Sequence, residues 1–463
     1  MSFPANFLWG AATSSYQIEG AVKQDGRGSS IWDDFCYTEG KVANGDTGDV
    51  AIDHYNRMPQ DLEIMSELGL QAYRFSIAWP RIKPLGRGQI EKRGLDFYDR
   101  LIDGLLARNI VPLPTLYHWD LPSALQQIGG WTNRDTSDYF AEYASVVVNK
   151  FRDRVDQWAT LNEPWVSAFL GHAAGIHAPG LQDPAAAFAA AHNLMLAHGK
   201  AVGVIRDIAP KAKAGIVLNL APVYLTEQAP DDHPAHQSIK LQDAMLNRWW
   251  LDSMLKGSYP EVLLNLGDMV TNSIQDGDLA EISRPIDWLG INYYQDSRSV
   301  PVFGNEAAPT TMDSTGNGAM PGTRGIRMAE PAGEVTDFGW STTPDGLRKL
   351  LLMLTEDYEN LPEMFITENG CAYDDPMVDG ESHDQRRIDY VHAHLKSVEA
   401  AISAGANVKG YMVWSLFDNF EWAEGYRQRF GIIHVDFDTQ VRTLRDSAHF
   451  YKEVIATNGA SLD

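Results

Sequence analysis

Cysteine is nearly missing from this chain: the 463 residues hold two, Cys36 and Cys371. That is too few for a disulfide framework, so a reduced, cytoplasmic setting is the simplest expectation. No apolar run approaches the ~18 residues that a membrane span needs. The first residues, Met1-Ser2-Phe3-Pro4, lack the basic and apolar stretches of a secretion signal. Basic residues are scarce, 38 Lys and Arg against 62 Asp and Glu, for a net charge of −24. Such a chain repels phosphates, which excludes nucleic acid as a partner. The acids are dispersed, as on a solvated surface, rather than gathered into a tail. No His-Glu-x-x-His occurs, and pairs such as His392 and His394 lack ligand spacing, so no metal is expected. A Gly-x-Ser-x-Gly elbow is absent too. No Gly-x-Gly-x-x-Gly follows an early strand, so a dinucleotide-binding open sheet is disfavoured and no cofactor is expected.

What the chain does have is apolar residues (44%) and 13 tryptophans, enough for a large core and for flat platforms under sugar rings. Short strand-like runs alternate with helical patterns from end to end. The runs are Phe7–Ala12, Ala72–Ile77, Ile110–Leu116, Trp158–Leu161, Ala214–Asn219, Ile286–Asn292, Met364–Thr367 and Val408–Trp414. Between them, helical spacing recurs, for example Met58, Leu62, Met65 and Leu68 before Gly69, and Leu347, Leu350, Leu351 and Leu354 after Thr343-Pro344. Alternation of this kind implies a parallel sheet with right-handed crossovers. Eight strand-then-helix units with no linker predict an α/β fold, a single (β/α)8 TIM barrel over residues 1–463, with chemistry on long βα loops at the barrel mouth. Residues 295 to about 340, rich in Gly, Pro, Thr and Ser, read as a long surface loop framing that mouth.

The strand ends are strongly polar. In order they offer Gln17, Arg74, His118 with Trp119, Asn162 with Glu163, Asn219, Asn292 with Tyr294, Glu368, and Trp414. Glu163 follows the fourth run and precedes Pro164, whose missing N–H should stop strand pairing. Flanked by Trp158 and Trp165, its carboxyl is expected to be poor in water, with a raised pKa suited to a proton donor. A plain strand-end acid on the surface is the competing reading. Glu368 ends the seventh run. Two carboxyls facing each other across a barrel mouth can cleave a glycosidic bond, although structural salt bridges would use carboxylates equally well.

Five blocks then resemble glycoside hydrolase family one, the β-glucosidases. The segment Phe7-Leu8-Trp9-Gly10-Ala11-Ala12-Thr13-Ser14-Ser15-Tyr16-Gln17-Ile18-Glu19-Gly20 looks like the N-terminal signature of that family. Tyr117-His118-Trp119-Asp120-Leu121-Pro122, Thr160-Leu161-Asn162-Glu163-Pro164 and Ile366-Thr367-Glu368-Asn369-Gly370 look like its catalytic blocks. The stretch from Trp414 to Trp422 resembles its C-terminal sugar-binding block. The resemblance spans nearly the whole chain and implies a retaining, exo-acting β-glucosidase, with Glu163 as acid/base and Glu368 as nucleophile. It implies Arg74, Tyr294 and Asn292 beside the glutamates, with Arg74 and Tyr294 favouring ionised Glu368. Gln17, His118, Trp119, Asn162, Trp414, Glu421 and Trp422 would meet the non-reducing sugar, and a Glu421 carboxylate would disfavour a 6-phosphate. Asn219, Trp340 and His177 would lie on the aglycone side. For His118 and the tryptophans, ordinary core packing is the alternative. Cys371 and Phe417 depart from the residues most frequent in the family. The expected partner is a small carbohydrate, a β-glucoside or cello-oligosaccharide, with no membrane and with homo-oligomer formation left open. Alternatives on the same site are β-galactosidase, β-fucosidase or transglycosylase activity, or a sugar-binding protein without catalysis.

Overall fold

Eight short runs become the staves of a closed barrel in the computed structural model, which describes residues 3–304 and 320–463. They are β1 Leu8–Ala12, β2 Ala72–Ser76, β3 Val111–Tyr117, β4 Gln157–Asn162, β5 Lys213–Asn219, β6 Trp288–Asn292, β7 Glu363–Asn369 and β8 Val408–Trp414. All pair in parallel with their neighbours in this sequence of staves, and β8 closes on β1 with Trp414 opposite Ala12.

Two prolines sit in β3, a position that a fully paired strand forbids. The register explains them. Val111 N–H donates to Gln71 and Thr115 C=O accepts from Ile77, so the odd-numbered residues of β3 face β2. Pro112 and Pro114 therefore face β4, where pairing begins only at Thr115 opposite Ala159. Neither proline removes a ladder bond.

Inside the barrel, small residues such as Ala72 and Ala159 make room for Trp288, Phe365 and Met412. Gly215 is required for this: a Cβ there would lie 2.4 Å from the Trp288 ring. A second, larger apolar layer fills the space between the barrel and the surrounding helices. The helix Lys92–Leu106 buries Phe97, Tyr98, Leu101, Ile102 and Leu105, a stripe at helical spacing. The long helix Pro184–Ile208 starts where Asp183 accepts from Ala185 N–H and Ala186 N–H, with proline at its first position.

Four expectations change in detail. Trp158 does not flank Glu163; it packs in the outer layer, because alternate residues of a strand point to opposite sides. β7 does not break at Glu368-Asn369 but runs through both, with a register irregularity after Ile366. Thr343 precedes the helix Pro344–Asp357 without capping it by its side chain, since its hydroxyl accepts from Asp296 N–H and is bonded to Tyr293. The stretch from 295 to 340 is not irregular throughout: Ser297–Pro301 pairs with Ile326–Met328 and with Val223–Leu225 in a three-stranded sheet, while its residues 305–319 lie outside the described residues. Among the described residues no helix is long and apolar enough to cross a membrane.

Candidate active site

The C-terminal ends of the strands surround a cavity of about 270 Å³, near the lower end of the range for small-molecule sites. Glu163 and Glu368 both line it. Glu163 lies one residue past β4, where its N–H still donates to Val217 O, at 2.9 Å. Its backbone is in the left-handed region (φ 42°), as are those of Trp119 (φ 78°) and Trp422 (φ 50°), which also face the cavity. Such backbones are costly for non-glycine residues and cluster at functional sites. Glu368 sits in β7, followed by the turn at Gly370, where an added Cβ would come within 1.6 Å of Trp414 O. Only glycine lets β7 approach β8 that closely.

One hydrogen-bond network joins the two carboxyls. Asn292, the last residue of β6, donates from Nδ2 to Glu163 Oε1 (2.6 Å) and to Asn162 Oδ1 (3.1 Å). Thr367 Oγ1 donates to Asn292 Oδ1 (2.7 Å), which fixes the amide with its nitrogen toward the acids. The same amide also lowers the pKa of Glu368. The link between the carboxyls runs from Glu163 through Asn292 and Asn162 to Arg74, which holds Glu368. Arg74, itself fully buried, donates from Nη1 to Glu368 Oε1 (2.6 Å) and from Nη2 to Asn162 Oδ1 (2.6 Å). Tyr294 OH donates to Glu368 Oε2 (2.8 Å).

The electrostatics separate the pair. Burial and then the neighbouring Glu368 charge push Glu163 up to about 8. Burial also raises Glu368, and it outweighs the pull of Arg74, Tyr294 and Asn292 in the other direction. The expectation that the cation and the phenol favour the ionised form holds as a contribution, though burial is the larger effect. Because Glu368 has the direct cation contact and the phenol, it is the carboxyl that ionises first.

The remaining predicted residues fall into place around this pair. His118 is held well below its usual pKa by burial and by Arg74, so it is neutral. Its Nε2 accepts from Asn162 Nδ2 (3.0 Å), whose orientation is set because Asn162 Oδ1 accepts from Arg74 and Asn292. The proton is then on Nδ1, which has no partner among the described residues. Trp119 lines the cavity, but its indole N–H donates to Asn162 O (2.9 Å) and is engaged inside the protein. Gln17 does not line the cavity itself; it donates from Nε2 to Glu421 Oε2 (3.2 Å), which does, and accepts from Ser14 Oγ (2.7 Å). Trp422 stacks on Tyr16 (6.0 Å, 10°) and near His118 (5.8 Å, 18°). Trp414, at the end of β8, lies nearly parallel to His118. The loop carrying Glu421 is anchored below by Asp418, which accepts from Arg445 and Arg429, each at 2.8 Å. Asn219, Trp340 and His177 line the cavity too, and burial lowers His177 to about 3. Cys371 is fully buried, with burial raising its thiol to about 12, and its carbonyl accepts from Arg387.

Sequence reasoning missed part of the wall. Val166 and Leu170 come from a π-helix, Val166–Ala174, and Met245 and Leu246 from another, Ala244–Arg248. The spacing of Val166 and Leu170 directly after Glu163-Pro164-Trp165 was a usable signal; the π geometry was not visible. Thr367, which orients Asn292, was readable only as a strand residue.

A model of the family described as Glycosyl hydrolase family 1 matches residues 1–460. Beta-glucosidase A of Thermotoga maritima is 46% identical over 459 residues, covering 99% of this chain and 98% of that relative. The bifunctional beta-D-glucosidase/beta-D-fucosidase of Bifidobacterium breve is 42% identical over 471 residues, with 99% of each chain covered. The solved beta-glucosidase from Thermotoga maritima in complex with glucoimidazole superposes with a TM-score of 0.90 at 45% identity, with 99% of each chain covered. With a barrel-end cavity lined by two glutamates, and with relatives matched over their full length, this chain belongs to glycosyl hydrolase family 1.

Proposed function

We propose that this chain is a retaining exo-β-glucosidase acting on terminal β-glucosyl groups, with residues 1–463 forming one catalytic domain. The observation that carries the reading is the network from Glu163 through Asn292, Asn162 and Arg74 to Glu368, in which Glu368 alone has a hydrogen-bonded cation, Arg74. In a pair of this kind the carboxyls stand about 5–5.5 Å apart, which leaves no room for an intervening water. Glu368 attacks the anomeric carbon, and Glu163, protonated at neutral pH, gives its proton to the departing oxygen. The anion at Glu368 is consumed in the glycosyl-enzyme. That removes one cause of the high pKa of Glu163, which then takes a proton from water as general base.

In this reading Asn162 meets the sugar 2-hydroxyl, where a hydrogen bond strengthens in the transition state. His118 Nδ1–H is the donor left for another hydroxyl, and Trp414 and Trp422 supply apolar surface for the ring. Exo-action requires that Glu421, held by Gln17, close the sugar end of the cavity, so that one terminal unit is removed at a time. The partner is a small carbohydrate, the setting is the cytoplasm, and no metal or cofactor takes part in this scheme. The bifunctional relative favours β-fucosides as a second substrate class.

Hydrolysis rates on a panel of nitrophenyl β-glycosides test the reading. The expected result is the highest kcat/KM on the glucoside or fucoside. No turnover of any β-glycoside would overturn it.

A further inference from the structure

A polar cluster lies behind Glu368, on the helix side of the barrel wall, and no step of the scheme above uses it. Glu368 points into the cavity, so strand alternation sends its neighbour Asn369 outward, where it is fully buried. Tyr411 OH, from β8, donates to Asn369 Oδ1 (2.7 Å) and so fixes the amide. Asn369 Nδ2 then donates to Tyr293 O (2.7 Å) and to Tyr390 OH (3.3 Å). Tyr390 belongs to the helix Gln385–Ser403, is buried, and does not line the cavity. With its oxygen accepting from Asn369, its own proton goes to Tyr294 O, at 3.0 Å. Tyr293 N–H donates in turn to Glu368 O (3.0 Å). Tyr293 and Tyr294 lie past the end of β6, and their peptide groups are pinned there to β7 and to the helix.

We infer that Tyr390 is a positioning residue for the reaction: from the helix layer it holds the Tyr294 backbone so that the Tyr294 hydroxyl meets Glu368. The inference rests on Glu368 as the nucleophile and adds a residue to that reading. Tyr294 reaches Glu368 Oε2 (2.8 Å) from a segment outside the strand ladder, so the aim of its ring depends on where its peptide group sits. Hydrogen bonds weaken steeply with angle and distance, and a small drift of that peptide takes the donor off the carboxylate. Loss of the Tyr390 hydroxyl drives such a drift, because a carbonyl left unpaired in the protein interior is unfavourable. A hydroxyl donating to a carboxylate favours its ionised form, and the Tyr294 bond lowers the pKa of Glu368 in this way. The helix thereby acts on the nucleophile without touching it.

Tyr390→Phe removes one hydroxyl and none of the groups that face Glu368, which are Arg74, Asn292, Tyr294, Glu163 and Glu421. The acid limb of the kcat/KM profile on 2,4-dinitrophenyl β-D-glucopyranoside, whose leaving group needs little help from a proton donor, reads the ionisation of Glu368. The position of a limb does not depend on the fraction of enzyme folded. A hydrogen bond to a charged group corresponds to about 1–2 in pKa, so Tyr294→Phe should move the limb up by that amount and Tyr390→Phe by about 0.5 or more. In the Tyr294→Phe background, adding Tyr390→Phe should move it no further. Tyr143→Phe is the control: it removes another buried phenol that donates from a helix to barrel carbonyls, Ile77 O and Leu116 O (each 3.0 Å), and should leave the limb in place. A limb unmoved by Tyr390→Phe or by Tyr294→Phe, moved as far by Tyr143→Phe, or moved further in the double variant than in Tyr294→Phe, overturns this inference alone. No turnover by the unsubstituted protein overturns the glucosidase reading and the inference with it.

Discussion

Replacing Glu368 with glutamine should lower the pKa of Glu163 sharply. The substitution keeps the shape of the side chain and removes its charge. Glu163 rises to about 8 through burial first and the Glu368 charge second. Two unit charges about 5.5 Å apart, the spacing of a retaining pair, interact at an effective dielectric near 20 by about 3 kcal/mol, which corresponds to about 2 in pKa. Loss of the like charge favours ionisation of Glu163, and Arg74, no longer matched by Glu368, pulls in the same direction. Glu163 should therefore titrate near 6 in Glu368→Gln, still above an ordinary glutamate because burial is unchanged. Difference infrared titration of the protonated carboxyl band reads this directly, with Glu163→Gln identifying the band. A Glu163 pKa in Glu368→Gln within about 0.5 of its wild-type value would refute the reasoning, since it would mean the two carboxyls do not feel each other.

Four further outcomes follow from the same geometry. The pH profile of kcat/KM should be bell-shaped: activity falls above about 8 as Glu163 loses the proton it must donate, and falls in acid as Glu368 gains one. Glu368→Gly should abolish turnover with the fold intact, and azide should restore it while yielding the α-glucosyl azide from a β-glucoside, seen by NMR. Glu163→Ala should slow alkyl glucosides far more than dinitrophenyl glucosides, and equal losses on both would contradict the acid role. Gly370→Ala should destabilise the protein by about 1–3 kcal/mol in denaturant titration, because its Cβ would meet Trp414 O at 1.6 Å.

The barrel was legible because each stave is a short apolar run with a polar group at its end, and β8 was readable to the residue. The acids were legible for a related reason: Glu163-Pro164 follows directly on β4, and Glu368 stands next to last in β7, just before Gly370. The wall of the leaving-group side was not legible. Leu246 and Met328 read as ordinary helix and loop residues, and nothing local reveals that a π-helix and a small loop sheet turn them toward one opening. Trp158 was misplaced because proximity in sequence was taken for proximity in space, whereas the strand alternation sends it to the far side of the barrel wall. The neutral state of His118 needed three dimensions too, since it depends first on burial and then on Arg74, forty-four positions away along the chain, reaching the same network.

The stereochemistry of hydrolysis tests the central claim most directly. Proton NMR of the first glucose released from a β-glucoside should show the β-anomer, with the α-anomer growing only as mutarotation proceeds. Initial release of the α-anomer would mean that water attacks in one step across a wider gap, and would contradict Glu368 as the nucleophile.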